Sequence, residues 1–268
     1  ANEEGYIKRD VILNERQEKN SACRAIDMIL KKIKGEEFVS EILPPIFEKV
    51  EPAKPIKDIT KAKLAMVTDG GLIPETNPDK LKPNGSINWG YYNLEELLNN
   101  KHYVIHSGYD GTWVLENTNR LLPKDVLEEL IAEGKLGSLD KNVYVASGNC
   151  VSIEAAKNKG RKIAERLLNE GVQAVILTST WGTSTRCGTT IVKEIEKVGI
   201  PTVQIAAVVD IAKSVGAPRI LRGFAITCPV GNPTVGNYED EKNSRRIYVE
   251  KALELLTQEG NPDIVHDI

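Results

Sequence analysis

Between Val175 and Gly188 the chain reads Val-Ile-Leu-Thr-Ser-Thr-Trp-Gly-Thr-Ser-Thr-Arg-Cys-Gly. A short apolar strand runs into small hydroxyl residues and glycines, the composition of a loop whose backbone amides and thiol face a small polar substrate. Trp181 is the exception, a large rigid ring among small side chains. A helix is expected to open near Thr189, which puts Cys187 just before a helix N-terminus and beside Arg186. Both features lower a thiol pKa. The other reading of Cys187 is a small buried hydrophobe. Cys150, in Ser147-Gly148-Asn149-Cys150-Val151-Ser152, also precedes a helix, where either its thiol faces a site or Ser152 or Asn149 merely caps the helix. Two thiols from neighbouring strand ends are also found in cofactor-free amino-acid racemases, an analogy at the level of fold alone. His106 ends a strand and precedes Ser107-Gly108-Tyr109-Asp110, so it suits acid–base work or loop anchoring. Tyr109, Asp110, Asn119 and Arg120 suit an amino-acid zwitterion, because arginine grips carboxylate and aspartate attracts ammonium.

The rest of the chain narrows the chemistry. Its 268 residues carry 35 Lys+Arg against 38 Asp+Glu, a net charge of −3 that favours neither nucleic acid nor a membrane surface. No apolar run nears the ~20 residues that span a bilayer, and no signal segment opens the chain at Ala1, so a cytoplasmic protein is expected. Four cysteines without CxxC spacing and three histidines argue against a disulfide framework and against a metal site. Gly70 to Pro74 is only a weak phosphate turn, and without GxGxxG or a Walker lysine nucleotide binding has no support.

The elements that must position these groups alternate. A helix is expected at Ser21 to Lys34, followed by a proline-rich connector over 41–60 (Pro44, Pro45, Pro52, Pro55). The expected organisation is thus 1–60 as helix and connector and 61–268 as an α/β domain, which divides further into halves 61–140 and 141–268. Strands are expected at Lys63–Thr68, Tyr103–His106, Val143–Ala146, Val172–Leu177 and Thr202–Val209, with a further apolar segment at Ile220–Ile226. Helices are expected from Pro123 to Glu133, Ser152 to Asn169, Thr190 to Val198 and Glu239 to Gln258, and a long loop over 74–90. The charged faces of the second and fourth of these helices read as solvated. Nearly continuous apolar strands alternating with helices predict a largely parallel sheet with helices on both faces. The site then lies at the carboxyl ends of the strands, among 68–72, 106–112, 147–152 and 178–190.

Several of these stretches together resemble a known family. Val175 to Gly188, Val192-Lys193-Glu194-Ile195-Glu196, Gly199-Ile200-Pro201, Glu51 to Asp58, Gly108-Tyr109-Asp110, Asn119 to Pro123 and Gly148-Asn149 closely resemble component B of the glycine, sarcosine and betaine reductases, with the related D-proline reductase subunit. The resemblance runs from about Glu4 through the last helix and covers the later, selenocysteine-bearing part of such a subunit. It implies reductive cleavage of a C–N bond alpha to a carboxylate in a small amino acid or betaine. It also implies partners: a subunit with a pyruvoyl group, a component A selenoprotein and a thioredoxin-type reductant, in an oligomeric complex.

The resemblance places the selenocysteine at Trp181, one family cysteine at Ser184 and another at Cys187. Those three with Cys150 are the candidate catalytic positions; Thr180, Gly182, Thr183, Asn149, His106, Tyr109 and Asp110 are the candidate substrate contacts. No cofactor is expected in the chain itself. An indole is no nucleophile, so the chain as written is expected to be inactive in this displacement. UGA encodes selenocysteine and is read as tryptophan in some translation schemes. The rivals are a non-catalytic paralogue or scaffold subunit, and a thiol enzyme working through Cys150 or Cys187.

Overall fold

The computed structural model describes residues 17–38 and 47–268; Pro44 and Pro45 of the expected connector lie outside them. The chain separates into two compact units, Ala1–Ile46 and Phe47–Ile268. In the first, helix α1 (Ser21–Lys34) is capped by the Asn20 side chain, which accepts from the Cys23 amide, and ends at Gly35 in the left-handed conformation.

The second unit runs, in order, β1 (Lys63–Thr68), β2 (Leu72–Pro74), β3 (Trp89–Asn93), α2 (Leu94–Asn99), β4 (His102–Val104), α3 (Thr112–Glu116), α4 (Lys124–Ala132), β5 (Ser138–Ala146), α5 (Ile153–Asn169), β6 (Ala174–Ser179), α6 (Gly182–Lys197), β7 (Thr202–Ala206), α7 (Val209–Val215), β8 (Ile220–Arg222), α8 (Tyr238–Leu256) and β9 (Val265–His266). Seven strands form one sheet in the order β3-β5-β1-β6-β7-β8-β9, and β2 pairs with β4 in a separate ribbon. All pairs in the large sheet are parallel except β3 with β5. The expected α/β class with a largely parallel sheet is the class observed.

Alternation along the strands explains their continuous apolar runs. Leu64, Met66, Val143, Val145 and Ile176 point to a core shared with α2, α4 and α8. Ala65, Val67, Tyr144, Val175 and Leu177 point to the opposite core, shared with α5, α6 and α7. Strands β1, β5 and β6 are therefore apolar on both faces, as helices on both sides require. Each such buried Val, Leu or Ile contributes roughly 1.5–3 kcal/mol.

Four expectations change. The strand expected at Tyr103–His106 is β4, in the small antiparallel ribbon rather than the parallel sheet. The long loop ends early in β3, an antiparallel edge strand hidden by Gly90 and Asn93. The segment after Ala206 turns into α7 rather than extending the strand to Val209. The fourth bears on the site: α6 opens at Gly182, not near Thr189. Its first turns hold poor helix formers, but their hydroxyls bond back into the helix, Thr185 to the Trp181 carbonyl (3.1 Å), Thr189 to that of Thr185 (2.8 Å) and Thr190 to that of Arg186 (2.8 Å).

Not all charged residues of the long helices are solvated. Lys159, Glu241 and Arg245 are buried. Glu241 takes both Arg120 (2.9 and 3.1 Å) and Arg245, and Arg245 also reaches Asp125 (2.8 Å), which ties α4 to α8. At the far end of α6, Glu196 accepts from the amides of Ala53 (2.6 Å) and Thr202 (2.7 Å) and from Arg219 (2.8 Å). Arg219 donates onward to the carbonyls of Ala53 (2.8 Å) and Gln258 (3.1 Å). Removing one member leaves the other charged, buried and unpaired. Arg219→Ala is expected to cost about 3–5 kcal/mol in urea unfolding, and a loss under about 1 kcal/mol would contradict this reading of the pair.

Candidate active site at the carboxyl ends of the strands

Strand β1 lies between β5 and β6. The chain reaches β5 through α4 on one face of the sheet and leaves it through α5 on the other. The loops therefore part over the end of β1, and in such sheets this crevice is where ligands bind. Four segments converge there: 69–71, 106–109, 147–150 and 180–184.

Glycines allow the convergence. A Cβ on Gly148 would lie 2.8 Å from Ser184 Cα and 3.0 Å from Asp69 Cβ, and one on Gly108 would lie 2.8 Å from the Trp181 ring. Trp181 thus rests its indole on the 106–109 loop while 42% exposed. It is also the N-cap residue of α6, and no side chain caps the helix. The first-turn amides of Gly182, Thr183 and Ser184 have no intrahelical acceptor, so positive potential gathers beside position 181.

His106 is buried and its Nε2 lies 2.6 Å from Ser184 Oγ. Its Nδ1 accepts from the Gly108 amide at 3.1 Å. A ring nitrogen that accepts carries no proton, so the neutral ring has its hydrogen on Nε2 and donates to Ser184. Burial pushes its pKa down to about 4. At neutral pH His106 is thus a fixed hydrogen-bond donor to position 184. Tyr109 packs against it with ring centroids 4.8 Å apart and donates to the Gly70 carbonyl at 2.8 Å.

A polar chain closes the other side. Asn149 donates to Asn84 (2.5 Å) and Ser107 (3.0 Å) and accepts from Thr183 Oγ1 (2.8 Å), whose oxygen accepts from the Cys150 amide (3.1 Å). Ser107 completes the chain with its own bond to Asn84. Cys150 is exposed, with φ at 54°, beside the first turn of α6. Ser152 caps α5 by accepting from the Ala155 amide at 3.2 Å.

Trp181, Gly182, Thr183, Ser184, Asn149, Cys150, His106 and Tyr109 are thus brought together, with Thr180 held beneath them. Cys187 and Asp110 are not part of this group. Cys187 stands in the second turn of α6 rather than at its start, packed in the core, and burial pushes its thiol up to about 11. The pull of Arg186, which also donates to the Val151 carbonyl at 2.9 Å, lowers the thiol pKa but is outweighed by burial. Asp110 is exposed and accepts from the Thr112 amide at 3.0 Å, which holds its carboxyl below the usual range. Arg120 and Asn119 serve structure instead of a zwitterion, Arg120 on Glu241 and Asn119 accepting from the Asp125 amide at 3.0 Å.

Asp69 went unnoticed in the sequence. It is fully buried; its Oδ1 accepts from the Thr180 amide at 3.1 Å and its carbonyl from the Gly148 amide at 2.9 Å. Burial raises its carboxyl to about 7, against the pull of hydrogen bonds from Ser179 and Thr180. The available signal was an aspartate at the end of an apolar strand followed by two glycines. Lys159, which donates to the Ser86 carbonyl at 2.9 Å, was hidden in a helix of many charges. Among the described residues no group of His, Cys, Asp and Glu is arranged to hold a metal ion, and no helix is long and apolar enough to cross a membrane.

The family described as glycine/sarcosine/betaine reductase selenoprotein B matches residues 1–180. The chain is 44% identical over 267 residues to the glycine reductase complex component B subunit gamma of Peptoclostridium acidaminophilum, covering 98% of this chain and 61% of that protein. It is 38% identical over 267 residues to that organism's sarcosine reductase complex component B subunit beta, again over 98% and 61%. Identity to the D-proline reductase subunit gamma of Acetoanaerobium sticklandii is 30% over 192 residues, 71% of this chain and 76% of that one. The chain spans about three-fifths of the length of its component B relatives. No solved structure matches it.

The packing and His106 each give a measurable expectation. Gly148→Ala is expected to cost about 1–3 kcal/mol in denaturant unfolding, since backbone and Cβ atoms close on both sides. For His106 the folded pKa lies below the ordinary 6.5, so the stability it contributes is full above 6.5 and is lost as pH falls toward 4. His106→Gln should lose less stability than the parent between those pH values, by up to about 3 kcal/mol. Parallel curves would contradict the neutral, donor-locked ring. The opposite drift from Asp69 is common to both proteins and cancels.

Proposed function

Since the chain belongs to the glycine/sarcosine/betaine reductase selenoprotein B family, we propose that it is the subunit of a cytoplasmic reductase complex that cleaves the C–N bond of a small amino acid or betaine at position 181. The observation that carries this reading is the place of position 181. It caps α6 at the end of the interior strand β6, part-exposed, beside the first-turn amides of α6 and Ser184.

In the family's reaction a selenocysteine here would supply the nucleophile for the α-carbon, and the nitrogen leaves with the bonding electron pair and a proton. The site fits such a residue: the N-terminus of α6 stabilises negative charge at its cap. This chain's own groups do the rest. The α6 amides and the His106 Nε2–H, through position 184, hold negative charge beside the cap. The Asn84–Ser107–Asn149–Thr183 chain fixes the floor on which the substrate lies. The pyruvoyl subunit, the component A selenoprotein and the thioredoxin-type reductant belong to this proposal as partners; the relatives are named as subunits of reductase complexes.

With Trp181 and Ser184 in place the chain has neither nucleophile nor resolving thiol. That favours a second reading, a paralogue that keeps the pocket as a non-catalytic subunit. A third, a thiol enzyme, now rests on Cys150, because Cys187 is buried and held protonated. The codon at position 181 divides the first two readings: UGA makes the natural chain a selenoprotein, UGG makes it the paralogue.

Assembled with its partner subunits, the chain carrying Trp181 is expected to show no turnover of glycine, sarcosine, betaine or D-proline. Selenocysteine at 181 with cysteine at 184 is expected to restore turnover of at least one of them. Turnover by the Trp181 form, measured as amine release, would overturn the assignment of position 181.

A further inference from the structure

The mechanism above leaves Asp69 without a part, although it is the buried acid nearest the site. Its Oδ1 is fixed by the Thr180 amide, one residue before position 181. Its Oδ2 is buried and has no hydrogen-bond partner of good geometry. Gly188, one helical turn beyond Ser184, gives this oxygen its space: a Cβ there would run into Oδ2 and into Ser179 Oγ. The Ser179 hydroxyl, which accepts from Gln204 at 2.8 Å, keeps its own hydrogen and pulls the carboxyl pKa down, but burial outweighs that pull. A carboxyl oxygen buried without a well-placed donor is where a proton is kept.

The groups that face Asp69 come from every packed element. They are Lys159 on α5, Cys187 on α6, and Tyr109 on the loop after β4, with His106 packed on Tyr109. Lys159 favours the carboxylate, but its ammonium bonds the Ser86 carbonyl and burial outweighs it. His106 is neutral near pH 7, and Cys187 and Tyr109 are protonated there. The charge near the cap is therefore decided between Asp69 and whatever stands at 181.

We propose that Asp69 is a positioning residue for position 181, holding a proton on Oδ2 while the group at the α6 cap is anionic, so that the two share one negative charge. This rests on position 181 being the nucleophile's place. The coupling is reciprocal: an anion at 181 raises the Asp69 pKa, and an ionised Asp69 raises that of the group at 181.

The test uses the full chain with Trp181→Cys, alone and with Asp69→Asn, each checked by thermal melting. Thiolate absorbance is followed against pH. In the double variant the midpoint of the thiol at position 181 is expected to fall by about one pH unit relative to the single variant. Infrared difference spectra supply a readout that leaves Asp69 intact. The unmutated chain is expected to show a protonated-carboxyl band that disappears near pH 7. In the Trp181→Cys form that midpoint is expected to move up by about one unit. An ordinary cysteine midpoint in the single variant would overturn the reading of position 181. A lowered thiol midpoint that Asp69→Asn leaves unmoved, or a carboxyl band that Trp181→Cys leaves unmoved, would overturn the role of Asp69 alone.

Discussion

Strand β1 is hydrogen-bonded along both edges, and the residue that follows it binds the loops of both neighbours. The Asp69 carbonyl takes the Gly148 amide from the loop after β5, and its carboxyl takes the Thr180 amide from the loop after β6. Asp69 therefore ties the residue before position 181 to the end of β1. A Cβ at Gly108 would meet the Trp181 ring, one at Gly148 the Ser184 backbone, and one at Gly188 the Asp69 carboxyl. The site is a consequence of where the sheet reverses its order, and its fine geometry is a consequence of Asp69.

The same crowding explains the character of α6. A helix of threonines, serine and glycines is weak by propensity, yet here it is buried along nearly its whole length. Small residues let it approach the sheet, and its hydroxyls are satisfied within the helix, by Gln204, or, for Thr183 and Ser184, by Asn149 and His106. The N-terminus stays uncapped by any side chain, which leaves its amides for whatever occupies the cleft. A stronger cap would stabilise the helix and occupy the site.

The parallel sheet was legible because its strands carry apolar side chains on both faces, and the strand-end rule then placed the right loops together. The start of α6 was not legible, since propensity argues against a helix at Gly182 and only burial and back-bonding hydroxyls reverse that. This one boundary decided the fate of Cys187, moved from an activating helix start to the core. His106 was found by type and place, but its role as a locked donor depends on the Gly108 amide, a loop detail that no residue pattern encodes. Asp69 went unnoticed because its importance comes from contacts far away in sequence, at Gly148 and Thr180.

The central claim is that position 181, at the open N-terminus of α6, is the nucleophile's place. Iodoacetamide labelling of the Trp181→Cys chain at neutral pH, read thiol by thiol by mass spectrometry, tests it most directly. The cysteine introduced at 181 is expected to react first and the exposed Cys23 and Cys150 more slowly, with Cys187 and Cys228 protected by burial. Labelling at 181 no faster than at Cys150 would contradict the account.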